Sequence, residues 1–351
     1  MGVRLAVVAA ALVASVSPAE FLASRQLPSG AFAEPGGSGG PLLTAWAVLG
    51  LHAAGAGTGG ALQYLVSHEA GLAEVTDVEL VALAESAGGR RPVRLLARVR
   101  RAQRSDGRIG PNVNSTIWGI LALRQAGERA PRPPVRFLLR RQARNGGWAW
   151  YVTGQPDSND TAAAIQALRS AGVTGRPIRR GLAYLLRLRN ADGGFELTQG
   201  RGSDAQSTAW AVQAFVAARR PPPRGAVAYL RGLRRADGSF RYSKRYVTTP
   251  VWVTAQVLPA LAHKPFPLAA DPDQPAHTQP GSGRTSRPAA TSRSTSPSSR
   301  HGNQRGTSLS GATTAARTAA TKRSPRSAVA ERSGSSWSHR TSSLVCRCGR
   351  S

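Results

Sequence analysis

The stretch from Phe137 to Gly172 constrains the fold most, because it encodes a helix, a glycine-rich turn and a second helix. The glycine pair at Gly146 loses too much backbone entropy to continue a helix and marks the end of the first one. Asp160 is of a residue type that starts helices. The second helix has a buried stripe at the spacing i, i+4, i+7, made of Thr161, Ile165 and Leu168. One hairpin cannot bury both of its apolar faces, so the stretch predicts neighbouring copies.

The chain supplies those copies, and we count six helical hairpins. The second unit has lost the glycine–aromatic turn, but the others keep most of the pattern. The threonines that mark the second helices are predicted to be Thr44, Thr76, Thr116, Thr161, Thr208 and Thr249. Six is a number at which such hairpins can close into a ring instead of an open solenoid.

The run Phe137-Leu138-xxx-Gln142-xxx-Gly146-x-Trp148 resembles the QW motif of squalene and hopene cyclases. Residues 21–32 repeat it with one aromatic residue exchanged. The resemblance implies the terpenoid cyclase and protein prenyltransferase fold from residue 21 to about 262. That fold is an all-α (α/α)6 toroid, in which the second helices form an inner ring and the first helices an outer ring. One fold hosts many functions, so the resemblance implies the fold more strongly than the activity.

The two ends of the chain differ from the repeats. Residues 1–19 have an arginine, an apolar run and small residues before Ala19, which is the pattern of a secretory signal peptide cleaved after Ala19. A short membrane anchor is the alternative, although the apolar run is shorter than a span needs. We therefore expect a signal peptide at 1–19, the toroid at 20–264, a disordered tail at 265–351, and a secreted or cell-envelope location.

The tail is rich in Ser, Thr, Arg, Pro and Gly, which predicts disorder. From Asp271 onward it has 13 Lys and Arg against 3 Asp and Glu, so it supplies +10 of the net +29. Basic residues are spread over every repeat as well. This charge suggests a solvated outer face or an anionic cell-envelope polymer or lipid surface as partner. No recognition helix or RNA-binding signature is visible, so nucleic acid is not an expected partner.

The closest match to a catalytic motif is Asp157-Ser158-Asn159-Asp160-Thr161-Ala162. It resembles the Asp-x-Asp-Asp-Thr-Ala motif of class II cyclases, whose middle aspartate protonates the substrate. Asn159 takes the place of that acid, and a carboxamide has no ionisable proton to deliver. Asp157 and Asp160 are the remaining candidates for a catalytic acid.

The same pattern recurs in units three and five, before Thr116 and Thr208, which favours a structural interpretation: each copy starts an inner helix. In that interpretation Asp160, Ser115 and Ser207 are N-caps. Asp157, Asn112 and Asp204 then form the preceding turn.

The residues that other enzymes of this fold use to bind zinc or magnesium are missing from the repeats. Cys346 and Cys348 are the only cysteines and lie in the tail, so the toroid has no cysteine zinc ligand. No Asp-Asp-x-x-Asp run is present to hold magnesium on a diphosphate, and the histidines lack the spacing of metal ligands. We therefore expect neither a metal nor a cofactor.

Four tryptophans take nearly the same place in four inner helices: Trp46, Trp118, Trp210 and Trp252. At about 100° per residue, Trp210, Gln213 and Asn159 project opposite the threonine stripe. If the threonines face the outer ring, this side faces a central cavity and its residues are candidate ligand contacts. The alternative is that the tryptophans are wedged between neighbouring helices.

These observations lead to one functional hypothesis and two alternatives. We expect an exported, monomeric, non-catalytic relative of the cyclases that binds a small apolar or isoprenoid-like ligand in its central cavity or serves cell-envelope interactions. One alternative is an active class II cyclase with an altered acid. The other is a structural protein of the cell envelope.

Overall fold

The computed structural model describes residues 15–268, and within them the chain forms twelve α-helices. The odd-numbered helices are α1 (Pro18–Ala23), α3 (Ala61–His68), α5 (Val93–Arg101), α7 (Arg132–Arg140), α9 (Arg176–Arg187) and α11 (Ala226–Gly232). The even-numbered helices are α2 (Pro41–Ala53), α4 (Val75–Ala87), α6 (Val113–Gln125), α8 (Ser158–Ser170), α10 (Ala205–Ala217) and α12 (Pro250–Leu261). A 3₁₀ turn (Glu69–Gly71) and a two-stranded antiparallel ladder of β1 (Trp148–Ala149) and β2 (Pro156–Asp157) complete the secondary structure of this part of the chain.

The even-numbered helices form a closed inner ring. Each packs on the next, and α12 packs on α2, so the sixth contact returns to the first helix. Each odd-numbered helix lies outside and packs against two inner helices. The structure is therefore an all-α toroid of six hairpins, as the repeats and the resemblance to the cyclase family predicted. None of the helices within residues 15–268 has both the length and the apolar character needed to cross a membrane.

A threonine on the inner helix fixes the turn that precedes it in five of the six units. Its Oγ1 accepts a hydrogen bond from the backbone N–H of the turn's aromatic or aliphatic residue. The pairs are Phe32–Thr44 (2.9 Å), Ile109–Thr116 (3.1 Å), Trp148–Thr161 (2.9 Å), Phe195–Thr208 (2.9 Å) and Phe240–Thr254 (3.1 Å). These bonds turn the threonine face of each inner helix towards the outer layer.

The predicted marker of the sixth unit, Thr249, is wrong. Proline lacks an N–H and is favoured at the first position of a helix, so α12 begins at Pro250. Thr249 is left outside the helix with a φ of 41°. Thr254, one turn further on, makes the bond to the sixth turn.

Each glycine turn abuts the start of the next outer helix. Gly146 has a φ of 94°, and a Cβ on it would lie 2.5 Å from the backbone oxygen of Arg180. In the last unit, a Cβ on Gly238 would lie 2.6 Å from the backbone oxygen of Val16. The residues just before α1 therefore contact the sixth glycine turn in the same way as the other outer helices contact the glycine turns that precede them.

A side-chain hydrogen bond accompanies four of these contacts. The side chain at the glutamine position of the motif donates to a backbone carbonyl at the start of the next outer helix. The bonds are Gln26 to Thr58 (3.1 Å), Gln142 to Pro177 (2.8 Å), Arg189 to Arg224 (2.7 Å) and Arg234 to Val16 (2.8 Å). The bond from Arg234 to Val16 closes the ring.

The ring closure includes residues that the sequence assigned to a signal peptide. Ser17 caps α1 and exchanges hydrogen bonds with Glu20. The bond after Ala19 thus lies inside α1. Residues 1–14 lie outside the described part of the chain, and the signal peptide itself stays a prediction.

A chain that begins at Glu20 is expected to melt at a lower temperature than one that begins at Ser15. It lacks the Ser17 cap and the acceptor of Arg234, and loss of the cap alone costs about 1 kcal/mol. Thermal unfolding of the two chains measures the difference. Equal melting temperatures would contradict a role of Val16 and Ser17 in closing the ring.

The folded part also extends beyond the predicted boundary at 264. Phe266 and Leu268 are buried, because the chain turns back after α12 and packs into the ring. The predicted disorder of the tail, with Cys346 and Cys348, concerns residues 269–351, which lie outside the described part.

Candidate functional site

Three tryptophans meet on the axis of the toroid. Trp46, Trp118 and Trp210 lie on α2, α6 and α10, which are alternate helices of the inner ring and not neighbours. Their ring centroids are 5.5, 5.6 and 6.1 Å apart, in edge-to-face geometry. Side chains of alternate helices reach such distances only across the lumen, so these tryptophans are not wedged between neighbouring helices. Edge-to-face contacts are favourable for aromatic pairs beyond the area they bury.

Trp252 does not occupy the place predicted for it. Trp46, Trp118 and Trp210 each lie two residues after their threonine, whereas Trp252 lies two residues before Thr254. The equivalent residue in α12 is Gln256, whose Oε1 accepts a hydrogen bond from Trp210 Nε1 at 2.8 Å. Gln256 was not predicted from the sequence, because Thr249 was taken as the reference residue of this helix; counting from Thr254 identifies it.

Helical periodicity extends this lumen-facing stripe along each inner helix. Residues two before, two after, five after and nine after the threonine lie within about 60° of one another, opposite the threonine. Residues two before it include Asn114, Asn159, Gln206 and Trp252. Residues five and nine after it include Gln166, Gln213 and Gln125. Asn159 and Gln206 are half-buried, so the lumen is partly open at the end where the inner helices begin.

Five buried polar atoms on this stripe have no hydrogen-bond partner within residues 15–268. They are Trp46 Nε1, Asn114 Oδ1, Gln213 Oε1, Trp252 Nε1 and Gln256 Nε2. Buried polar groups are nearly always paired with protein, ligand or ordered water. Five of them around one axis mark the lumen as a place with unmet hydrogen-bonding capacity.

The acidic motif starts α8, with roles shifted from those predicted. Asp157 is the N-cap, and its Oδ1 accepts the backbone N–H of Asp160 at 2.8 Å. Asp204 does the same for Ser207 at 2.7 Å, and Asn112 is the cap of α6. The assignment of Asp160, Ser115 and Ser207 as caps is wrong, because the extended backbone that a cap requires occurs three residues earlier.

Asp160 is a buried acid at the mouth of the lumen. Its Oδ1 accepts a hydrogen bond from Asn114 Nδ2 at 2.7 Å. Burial, and then the negative charge of Asp157, raises the pKa of Asp160 well above its usual value, although the Asn114 bond opposes this. The shift favours the neutral carboxylic acid over the carboxylate. The adjacent Asn159 is within 3.3 Å of Ser158 Oγ and carries no acidic proton.

Two further buried acids lie on α4. Burial raises the pKa of Glu79 well above its usual value, and neither of its carboxyl oxygens has a hydrogen-bond partner within residues 15–268. Burial, and then the charge of Glu69, raises the pKa of Glu85 to about 8, while Arg90 at 3.7 Å opposes the shift. Neither acid was predicted from the sequence, because charged residues on an amphipathic helix are ordinarily solvated. On an inner helix of a toroid every face is covered.

The substitution Glu85→Gln is expected to make the stability of the protein fall less steeply as the pH rises. The folded pKa of Glu85, about 8, lies above its usual value of 4.5, so folding takes up a proton between these values. Stability from this group is full below about pH 4.5 and is lost as the pH rises through about 8. Melting temperatures between pH 5 and pH 9 should fall less in Glu85→Gln than in the wild type. The exposed Glu74→Gln is the control and should keep the wild-type decline; an equal decline in Glu85→Gln would contradict the assignment.

The fold is similar to that of known enzymes, although the sequence matches no protein-family model and no curated protein. The type II terpene cyclase MstE from Scytonema is 16% identical, with a TM-score of 0.52 over 71% of this chain and 96% of that one. A protein from Actinoplanes is 20% identical, with a TM-score of 0.54 over 70% and 97%. Protein geranylgeranyltransferase-I from Candida albicans is 13% identical, with a TM-score of 0.50 over 64% and 83%. The toroid is therefore of the terpenoid cyclase and prenyltransferase type.

Proposed function

We propose that this protein binds a small, partly apolar molecule on the axis of the toroid and does not cyclise it. The observation that carries the proposal is the set of five unpartnered polar atoms around three tryptophans in the lumen. Ligand sites are typically apolar surfaces with a few converging polar groups, and this lumen has that composition.

The chemistry of the lumen favours a neutral ligand with an apolar body. Its unpartnered atoms include donors, such as Trp46 Nε1, and acceptors, such as Gln213 Oε1, and none belongs to a charged side chain. A hydroxyl or carbonyl group suits these atoms better than a diphosphate, which calls for cations. MstE has been solved with geranylgeranyl dihydroxybenzoate, and the Candida enzyme with GGPP. An isoprenoid alcohol is therefore the first probe to test.

Geranylgeraniol is expected to quench the tryptophan fluorescence of the full-length protein in a saturable way. Trp210→Ala should weaken its binding by about tenfold or more, because buried tryptophans dominate binding energies. Asn159→Asp lies at the mouth and should change the affinity far less. A titration that does not saturate, or one that is unchanged in Trp210→Ala, would contradict a site in the lumen.

A second candidate function is cyclisation with Asp160 as the acid. It is favoured by the raised pKa of Asp160, because burial stabilises the protonated form that a general acid requires. Against it, Asn159 stands where the resemblance places the acid, and Asp160 Oδ1 is bonded to Asn114.

We expect the wild type to convert neither squalene nor geranylgeranyl dihydroxybenzoate to a cyclised product, as judged by mass spectrometry of extracts. Asn159→Asp restores a proton donor, and general acid catalysis is worth about 10²- to 10⁴-fold, so a trace of product is expected from that variant. Wild-type turnover that survives Asn159→Ala and disappears in Asp160→Asn would make Asp160 the working acid and overturn the non-catalytic proposal.

Export is part of the proposal and rests on the sequence of residues 1–19. Cleavage after Ala19 predicts a mature protein that begins at Glu20. Mass analysis of protein recovered from outside the cell tests it directly. An intact Met1 would contradict cleavage.

A further inference from the structure

The lumen already holds a segment of the chain. After α12 the chain turns back and enters the ring from the end where the inner helices finish. Phe266 and Leu268 are only 2% and 3% exposed. The Phe266 ring centroid lies 6.3 Å from that of Trp46, 6.4 Å from Trp118 and 5.8 Å from Trp210. The phenyl ring therefore packs against all three tryptophans of the lumen.

Two glutamines of the inner ring hold the backbone of this segment. Phe266 N donates to Gln166 Oε1 at 2.8 Å. Leu268 N donates to Gln125 Oε1 at 2.6 Å, and Leu268 O accepts from Gln125 Nε2 at 2.9 Å. The Gln125 amide thus pairs with one residue's backbone through both of its groups, which is a specific mode of recognition and not only apolar packing.

The segment is attached by side chains of the ring. The last backbone–backbone hydrogen bond before it runs from Lys264 N to Pro259 O at 2.9 Å. From 265 to 268 no such bond to the rest of residues 15–268 is present. Release of the segment would leave the backbone hydrogen bonds of the toroid intact.

We propose that Phe266–Leu268 is an internal plug and that the lumen is a binding site for an aromatic group carried on an extended, amide-bearing chain. The site can accept a hydrogen bond that the plug does not make. Gln213 on the next inner helix has the position that Gln166 has on α8, and its Oε1 has no partner within residues 15–268. This inference deepens the proposed function and rests on it only for the claim that an outside ligand competes with the plug.

The test supplies the plug in trans. The full-length Phe266→Ala/Leu268→Ala variant is titrated calorimetrically with the blocked peptide KPFPL, which has the sequence of residues 264–268. The variant is expected to bind this peptide one to one, and to bind KPAPL about tenfold or more weakly, because the phenyl ring is the buried anchor. The wild type should bind neither peptide, since its own plug has a high effective concentration.

The matched control is Tyr246→Ala/Val247→Ala, which removes two exposed apolar side chains and should gain no peptide binding. A folded plug variant that does not bind KPFPL, or a wild type that binds it equally well, overturns the proposal. If the plug variant fails to fold, Gln125→Ala should accelerate hydrogen exchange at the Leu268 amide, and unchanged exchange overturns the proposal. Peptide binding without geranylgeraniol binding would support the plug and contradict the proposed function; the reverse would contradict the plug alone.

Discussion

Trp148→Ala is expected to lower the free energy of unfolding by about 3–5 kcal/mol. The indole is fully buried, and its Nε1 donates to Leu138 O at 2.8 Å, which ties the turn back onto the end of α7. It also packs on α9, where a Cβ on Gly181 would lie 3.0 Å from the indole. Truncation therefore leaves a cavity between two outer helices and removes one of the two hydrogen bonds that Leu138 O accepts, the other being from Arg141 N. Chemical denaturation followed by circular dichroism measures the loss.

The control for this substitution is Tyr151→Ala, in the same loop. Tyr151 is 42% exposed, so its removal should cost far less. Equal unfolding free energies for wild type and Trp148→Ala would mean that the ring is not buried in solution, and would contradict a structural role of the repeated turn.

Gly146→Val is expected to destabilise the protein by about 3 kcal/mol or more, through two separable effects. The first is the φ of 94°, which a β-branched residue adopts only with strain. The second is the backbone oxygen of Arg180, 2.5 Å from the new Cβ, which would push the start of α9 away from the turn. Thermal and chemical unfolding report the sum of the two.

Gly172→Val separates the two effects. Gly172 has a φ of 84°, but a Cβ there would meet no atom within 4 Å. It should therefore show the conformational strain alone, about 1–2 kcal/mol. If both variants lose the same stability, the close approach of the turn to the next outer helix does not contribute.

The repeats predicted six helical hairpins, and the resemblance to the cyclase family implied that they close into an all-α toroid. Trp148 folding over its helix, and the buried stripe of Thr161, Ile165 and Leu168, follow from local chemistry and appear as predicted. The local sequence was not sufficient where two threonines could bond the preceding turn. Thr249 and Thr254 are both of the right residue type, and the start of α12 at Pro250 places Thr254, not Thr249, in that position.

Much of the candidate site depends on contacts that no local pattern encodes. Gln166 and Phe266 are 100 residues apart, and Gln125 and Leu268 are 143 apart. The composition of the tail gave no reason to separate residues 265–268 from it. Helical periodicity predicts that Trp210 and Gln213 face the lumen, but it does not predict that Phe266 packs against the tryptophans there. Glu79 and Glu85 are covered only because the ring closes.

Native mass spectrometry of the full-length protein, purified without denaturation from its source cells, tests the central claim most directly. A ligand site on the axis predicts a mass above that of the polypeptide by one small molecule per chain. The same molecule should be depleted in Trp210→Ala, whose ring contacts Trp46 and Trp118 in the lumen. A bare polypeptide mass in the wild type, unchanged after incubation with geranylgeraniol, would contradict the account.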